Sequence, residues 1–265
     1  MKICVAGACG RMGKRILELA AATGDIEIAG AFDCAELAGA EIVVGAGSAR
    51  QQTVAVSSDA ASETAKADVL IDFTVADACV PNAQAAVGNG KACVVGTTGL
   101  SEPQKDELAV LAKDVAIVFA PNMSVGVNLL FKLTSEVAQI LGLDYNVEIV
   151  EAHHNLKKDS PSGTAVRLAE RAAEALGLDY PGDAVHGRQG MVGERPVREI
   201  GVHAVRGGDI VGEHTVSFIG TGERVELTHK AHSRDTFAAG ALRAARFAVG
   251  ASPGLYDMQD VLGLA

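Results

Sequence analysis

Ile3 to Ala6 form a short apolar run that ends in Gly7-Ala8-Cys9-Gly10-Arg11-Met12-Gly13, and behind it Ile16, Leu17, Leu19 and Ala20 recur at helical spacing. An unbroken apolar run of this length reads as a strand covered on both faces, the condition of a strand inside a parallel sheet. Parallel strands need crossover connections, usually helical, so strand, glycine turn and helix in that order point to α/β layering. The same order suits a dinucleotide: glycines let the backbone approach a pyrophosphate lying on a helix N-terminus. The spacing here is G-x-x-G-x-x-G, with Cys9 in the second glycine's usual place, so the turn is a weak signal alone.

The next segments strengthen it. Ile26 to Phe32 reads as a second apolar strand and ends at Asp33, twenty residues past Gly13, where a carboxylate accepts hydrogen bonds from an adenosine ribose. Val69 to Thr74, Cys93 to Gly99 and Ala116 to Met123 are further strands running into small polar turns, with helices expected over Ala76 to Val87 and Ser101 to Ala112. The expected fold is α/β, a Rossmann-like doubly wound parallel sheet that binds ligands at the strands' carboxyl ends. Those ends are Phe73-Thr74, Gly96-Thr97-Thr98 and Ala120-Pro121-Asn122-Met123.

Beyond Val125 the character changes. A helix is expected over Ser124 to Leu141, and Ser162 is placed to cap another over Gly163 to Leu176. Long β-type runs broken by glycine turns come after it: Ile200 to Val205, Ile210 to Ile219 and Arg224 to Ala231. Hairpins of this kind build a mixed or antiparallel sheet, so a second α+β domain is expected over 125–233. A last helix, Ser233 to Val249, is expected to return to a first domain made of 1–124 plus 234–265.

The densest chemistry lies in Glu148 to Thr164, EIVEAHHNLKKDSPSGT, with two adjacent histidines, two lysines and a Ser-Gly-Thr helix start. All seven histidines (153, 154, 186, 203, 214, 229 and 232) fall in the second domain, yet adjacent histidines on a strand point to opposite faces and no H-x-H or H-E-x-x-H pair occurs. No bound metal is expected. A net charge of −10 without a lysine- or arginine-rich tract argues against nucleic acid, while a small anion remains compatible with a local cationic site. Five cysteines without C-x-x-C spacing read as reduced, mostly buried thiols. No signal-peptide core and no run long enough to span a bilayer is present, so a soluble, cytoplasmic protein is expected.

Glu151-Ala-His153-His154-x-x-Lys157-x-Asp159-x-Pro161-Ser162-Gly163-Thr164-Ala165 resembles the signature of the 4-hydroxy-tetrahydrodipicolinate (dihydrodipicolinate) reductase family of lysine biosynthesis through diaminopimelate. The likeness extends to the glycine turn, Ile71-Asp72-Phe73-Thr74, Gly96 to Gly99, Asn122 to Asn128, Gly212-Glu213-His214-Thr215, and Glu226 to Ala231 with Ser233-Arg234. It implies NADH or NADPH as cofactor, a small cyclic dicarboxylate as substrate and a homotetramer held by the second domain's sheet. The pyrophosphate is then expected over Gly7, Ala8, Cys9, Gly10, Arg11 and Met12, and the ribose on Asp33. The nicotinamide end falls near Phe73, Gly96, Thr97, Thr98, Ala120, Pro121, Asn122 and Met123. His153 becomes a proton donor or acceptor, Lys157 a second proton donor, and His154, Ser162, Gly163 and Thr164 substrate contacts. Arg234, where the chain heads back to the first domain, is expected as a cofactor contact when the domains close.

The chemistry of the residues agrees. Backbone N–H groups at the start of a helix, near a lysine, suit a carboxylate. An imidazole titrating near about 6.5 supplies a proton at neutrality, whereas a lysine near about 10.4 serves better as a fixed charge. Cys34 follows Asp33 where many members of the family carry an arginine for a 2′-phosphate, so a preference for NADH is expected. Two rivals fit less well. A thioester-forming semialdehyde dehydrogenase needs a nucleophilic cysteine in the catalytic region, and none lies beyond Cys93; a nucleotide sensor would not need His153, Lys157 and the helix start together.

Overall fold

A computed structural model describes residues 1–264. In chain order the elements are β1 (Lys2–Ala6), α1 (Arg11–Ala22), β2 (Glu27–Phe32), β3 (Glu41–Val44), β4 (Gln52–Ala55), α2 (Ala60–Ala65), β5 (Val69–Asp72), α3 (Ala76–Gly88), β6 (Ala92–Val95), α4 (Glu102–Leu111), β7 (Ala116–Phe119) and α5 (Val125–Leu141). Then come β8 (Asn146–His153), α6 (Gly163–Leu176), β9 (Ala184–His186), β10 (Ile200–Arg206), β11 (Gly212–Ile219), β12 (Arg224–Ala231), α7 (Asp235–Gly250), β13 (Gly254–Tyr256) and α8 (Met258–Leu262). They form two compact units, 1–125 with 234–265, and 126–233.

The first unit holds a six-stranded parallel sheet in the order β13-β7-β6-β5-β1-β2. Apart from Lys2, Glu27 and Asp72 at strand ends, its strands are apolar because both faces are covered. Ile3, Val5, Val69, Ile71, Val94 and Val118 pack with Ile16 and Leu17 of α1 and Leu242 of α7, while Cys4, Leu70, Cys93, Val95 and Ile117 pack with Val80 of α3 and Leu108 of α4. Period-two side-chain alternation therefore feeds two cores from each strand. Three of the five thiols (Cys4, Cys79 and Cys93) are buried, Cys9 is half-buried and Cys34 is exposed. The β3–β4 hairpin stands outside the main sheet, and the alternation of β-strand and helix does not announce it.

Direction reverses between β1 and β5, since β2 lies on one side of β1 and β5 on the other. In sheets of this kind the crevice at such a switch point, beyond the strands' carboxyl ends, is where ligands bind. Gly7 sits at that end of β1 with φ +72°, and a Cβ there would lie 2.9 Å from the Phe73 carbonyl oxygen. A Cβ at Gly13 would lie 2.1 Å from the Gly7 carbonyl oxygen, so this close return of α1 on the turn requires glycine.

The second unit corrects one expectation. The turn after Arg206 closes no hairpin, because the sheet runs β12-β11-β8-β10-β9 and β8 separates β10 from β11. β8 pairs parallel with β10 and antiparallel with β11; only β11 and β12 form the expected hairpin. One apolar face of this mixed sheet, with Val147, Ile149, Ile200, Val202, Val216 and Phe218, packs on Leu130 and Phe131 of α5 and Leu168, Ala169 and Ala172 of α6. The central place of β8 sets its last residues, Glu151 and His153, between Arg206 of β10 and His214 of β11.

Candidate active site

The carboxyl-end turns of the first unit are knit together by one buried carboxylate. Asp72 closes β5 with no exposed surface, and its Oδ1 accepts from Thr97 Oγ1 at 2.6 Å, Thr74 Oγ1 at 2.8 Å and the Thr74 N–H at 3.1 Å. Its Oδ2 accepts from Asn82 Nδ2 at 2.8 Å, and Thr97 Oγ1 in turn accepts from the Thr74 N–H at 2.9 Å. Four neutral donors satisfy one buried carboxyl group, which fixes the loops after β5 and β6 against each other. The Phe73 ring covers Gly96, where a Cβ would lie 2.2 Å from the ring carbon Cζ, so glycine is needed there for packing. Thr97, Ala120 and Met123 are buried, while Thr98 and Pro121 are exposed. A Cβ at Gly240 would strike the Met123 carbonyl oxygen at 1.8 Å, so α7 lies against this turn.

The glycine turn is satisfied within itself. The N–H groups of Gly7 and Ala8 donate to the Phe32 carbonyl, that of Cys9 to Asp33 Oδ2 at 2.9 Å and that of Gly10 to the Gly7 carbonyl. The N–H groups of Gly7, Ala8, Cys9 and Gly10 are thus all engaged within this part of the fold. The first N–H groups of a helix have no intrahelical acceptor, here those of Arg11, Met12 and Gly13. No side chain caps α1 and no acidic residue stands in its first turn. That end suits an anionic group, and Asp33, also held by the Cys34 N–H at 2.9 Å, presents its carboxylate at the end of β2. The residues present therefore fit a dinucleotide. The helix that Arg234 caps, α7, carries Asp235 in an ion pair with Arg15 of α1 at 2.7 Å.

In the second unit the charged groups converge. Glu151 is fully buried, and its Oε2 lies 2.6 Å from His153 Nδ1. Arg206 grips the same carboxylate with both terminal nitrogens, at 2.7 and 2.8 Å, and the Ser162 N–H donates to Oε1 at 3.0 Å. Ser162 also caps α6, its Oγ accepting from the Ala165 N–H at 3.2 Å, and lies 3.0 Å from His214 Nε2. The rings of His153 and His214 meet edge to face at 5.1 Å. The His154 N–H donates to the Ile210 carbonyl, and its Nδ1 is buried without a partner among the described residues. Lys157 is mostly buried and pairs with Asp159 at 2.9 Å. Gly163 is exposed and Thr164 half-buried at the start of α6, whose first turn lacks an acidic residue.

Burial sets the protonation states. It works to raise Glu151, but Arg206, His153 and the Ser162 N–H prevail and hold the carboxyl below its ordinary range. Burial lowers His153 against the pull of Glu151, with Lys157 and Arg206 adding to the depression. Burial also pushes His214 down to about 3, so this ring is neutral at physiological pH. The site is thus a neutral imidazole pair beside an ionised, neutralised carboxylate and a helix start that Ser162 caps and no acidic residue neutralises, an arrangement suited to moving a proton near a bound anion.

Glu151, Arg206, His214 and Asp72 carried no role in the sequence reading. Glu151 was legible, because residues two apart on a strand share a face and His153 lies two beyond it. Arg206 and His214 reach the site only through the pairing of β8 with both β10 and β11, which no local signal specifies.

A doubly wound sheet with a dinucleotide-type turn, beside a unit carrying a proton-handling site, defines the class of nicotinamide-dependent oxidoreductases. Family models described as dihydrodipicolinate reductase, N-terminus, and dihydrodipicolinate reductase, C-terminus, match residues 1–123 and 126–262. The chain belongs to the dihydrodipicolinate reductase family. A relative from Syntrophotalea carbinolica, named 4-hydroxy-tetrahydrodipicolinate reductase, is 52% identical over 266 residues, covering 100% of this chain and 99% of its own. Another of that name, from Myxococcus xanthus, is 51% identical over 264 residues, covering 98% and 96%. Among solved structures, a dipicolinate-bound dihydrodipicolinate reductase from Paenisporosarcina shares the fold with a TM-score of 0.77 at 24% identity, over 98% of each chain.

Proposed function

We propose that the protein reduces 4-hydroxy-tetrahydrodipicolinate, or its dehydrated form, to tetrahydrodipicolinate in the diaminopimelate route to lysine. The observation that carries the catalytic assignment is the Glu151–His153 pair at 2.6 Å, joined through Ser162 to the start of α6 that Ser162 caps. Reduced nicotinamide, NADH or NADPH, supplies a hydride to the substrate ring. His153 supplies the proton that balances it, and Lys157 holds negative charge and serves as the second donor. Thr164 and Gly163 present the first N–H groups of α6 to a substrate carboxylate, with Ser162 fixing that helix start and His154 flanking it. On the cofactor side, the turn from Gly7 to Met12 receives the pyrophosphate, with the N–H groups of Arg11 and Met12 at the start of α1 as its donors, Asp33 the ribose, and the turns at Phe73, Gly96, Thr97, Thr98, Ala120, Pro121, Asn122 and Met123 the nicotinamide end. Arg234 is a further cofactor contact.

Asp33 is a fixed negative group, and Cys34 beside it brings no cation, which favours NADH over NADPH. The outward face of the second unit's sheet carries Val150, Val205 and Ile219, all exposed, which supports assembly of a homotetramer through that sheet; the protein works in the cytoplasm. No described helix is long and apolar enough to cross a membrane. The test is oxidation of NADH and of NADPH on freshly generated substrate, with His153→Ala and Lys157→Ala alongside. Each variant should lower kcat by about 10²-fold or more while leaving cofactor Kd within about threefold, the range of general acid catalysis. Normal turnover by either variant refutes the role assigned to that residue, and equal or better kcat/KM with NADPH refutes the cofactor preference.

A further inference from the structure

His153 has two ring nitrogens, and a proton carrier works only if the right one is free. The surroundings of Glu151 decide which. Its Oε1 accepts from the Ser162 N–H and from Arg206 Nη2, and its Oε2 accepts from Arg206 Nη1. A fully buried carboxylate receiving three N–H donors, one guanidinium providing two of them, is ionised, and an ionised carboxylate can only accept. His153 Nδ1, 2.6 Å from Oε2, must therefore carry hydrogen. In the neutral ring that leaves the lone pair on Nε2. Gly212 leaves room beside that atom, since a Cβ there would stand 3.1 Å from Nε2.

Arg206 makes this more than an orienting contact. A lone carboxylate against Nδ1 would favour the imidazolium at all times, but the guanidinium cancels much of that field. Other groups facing the ring are Lys157 and Asp159 from the loop after β8, His214 edge-on from β11, and Ser162 at the start of α6. His214 does not compete for the proton. If its Nε2 donates to Ser162 Oγ, its buried Nδ1 is an acceptor without a partner; the reverse tautomer would strand a buried N–H, the costlier defect. With Glu151 already balanced, the negative charge of an arriving dicarboxylate is what draws a proton onto Nε2.

We propose that Glu151 is the positioning residue of His153: with its charge offset by Arg206, it holds hydrogen on Nδ1 and reserves Nε2 as the atom that exchanges the proton. The proposal deepens the reading of His153 as proton donor and rests on it. In the step, Nε2 takes a proton from solvent as the dianion binds and passes it to the electron-rich ring that hydride addition leaves, and the neutral Nδ1–H imidazole is restored. Glu151 and Arg206 change neither bonds nor protonation.

The test is made on the full-length protein with ¹⁵N-labelled histidine, His153 being assigned by its absence from the His153→Asn spectrum. The wild type should show the Nδ1–H tautomer, with Nε2 becoming protonated when pyridine-2,6-dicarboxylate is added at neutral pH. A wild-type Nε2–H tautomer overturns the proposal, and needs no variant to fold. In Glu151→Gln the amide can donate to Nδ1, so the tautomer should invert. Turnover should fall on the order of 10²-fold or more, since a wrongly set tautomer costs up to about 10⁴ in comparable dyads, with cofactor Kd unchanged. The alkaline limb of kcat should also move to lower pH, because the imidazolium loses its carboxylate, and Glu151→Asp should restore part of the rate. A folded Glu151→Gln with wild-type turnover and pH profile overturns the proposal. Normal turnover by His153→Ala would instead remove the proton role, a result the tautomer measurement keeps distinct.

Discussion

The two units place their charges differently. In the first, the ion pairs lie largely in water: the side chains of Lys2–Glu27 are 52% and 63% exposed, those of Arg15–Asp235 42% and 41%, and in Lys66–Glu63 the carboxylate is buried while the lysine is 52% exposed. In the second, Glu148, Glu199 and Glu151 are 16%, 9% and 0% exposed, and each meets a guanidinium. A parallel sheet covered on both faces holds together largely through apolar contact, so its ion pairs are free to sit outside, and its fully buried carboxylate, Asp72, is held by neutral donors. The mixed sheet has helices on one face only. On its other face Glu148 binds Arg188, Arg195 and His203 at 2.7 to 2.9 Å, pinning the long segment after β9 across the strands. Ion pairing is therefore peripheral to the first unit and structural in the second.

The sharpest way to break this comparison is Glu148→Gln. Removing the carboxylate leaves Arg188 and Arg195 sharing Glu199 alone, and breaking a buried pair from one side costs about 3 kcal/mol. Hydrogen exchange should show that loss in the amides of β8 and β10 and none in β1 and β5. Equal loosening of both sheets, or of neither, would mean that the network is not what holds the second unit.

Acid should separate the units next, with a smaller effect at any one pH. His214, held near 3 by burial, would titrate near its ordinary 6.5 when unfolded, so the unfolded chain binds more protons between those values. The stability present above pH 6.5 is lost as pH falls toward 3. Burial works to raise Glu148, but Arg188, His203 and Arg195 bring it to about 2, so its contribution is complete above 4.5 and lost between 4.5 and 2. Protection of β8, taken relative to the slower intrinsic exchange at lower pH, should fall from pH 6.5 downward while that of β1 holds. His214→Gln should flatten the upper part of that slope; an unchanged slope would show that the ring is not buried neutral.

The same contrast explains what the sequence disclosed. The first unit is built from local signals, because each buried strand is an apolar run, each ligand-facing turn comes directly after it, and Gly7 and Gly13 report close backbone contacts. Its α/β order was legible almost element by element. The helix start at Ser162 was legible for the same reason, as a cap is a local motif. What was not legible is set by pairing across the mixed sheet. Ile200 to Ile219 reads as two strands and a glycine turn, which suggests a hairpin, and nothing in that stretch says that β8 inserts between them. Arg206 and His214 come to His153 only through that insertion, and the internal satisfaction of the glycine turn, with the Cys9 N–H given to Asp33, depends on the β1–β2 register.

The smallest effect is expected at Arg15–Asp235, and it is a test because the geometry looks strong. Arg15 Nε and Nη2 reach the two carboxylate oxygens at 2.7 and 2.8 Å, joining α1 to α7. By geometry alone this bidentate pair matches Arg206 on Glu151. The difference is solvent: water screens both partners here, and ordering two long side chains opposes the attraction. Asp235→Asn should therefore cost at most about 1 kcal/mol, an effect that shrinks further in high salt, with no change in exchange at β1 or β5. A loss as large as that from Glu148→Gln would show that packing of α1 and α7 on the parallel sheet depends on the ion pair, and the distinction between the two units would then rest on burial of the strands alone.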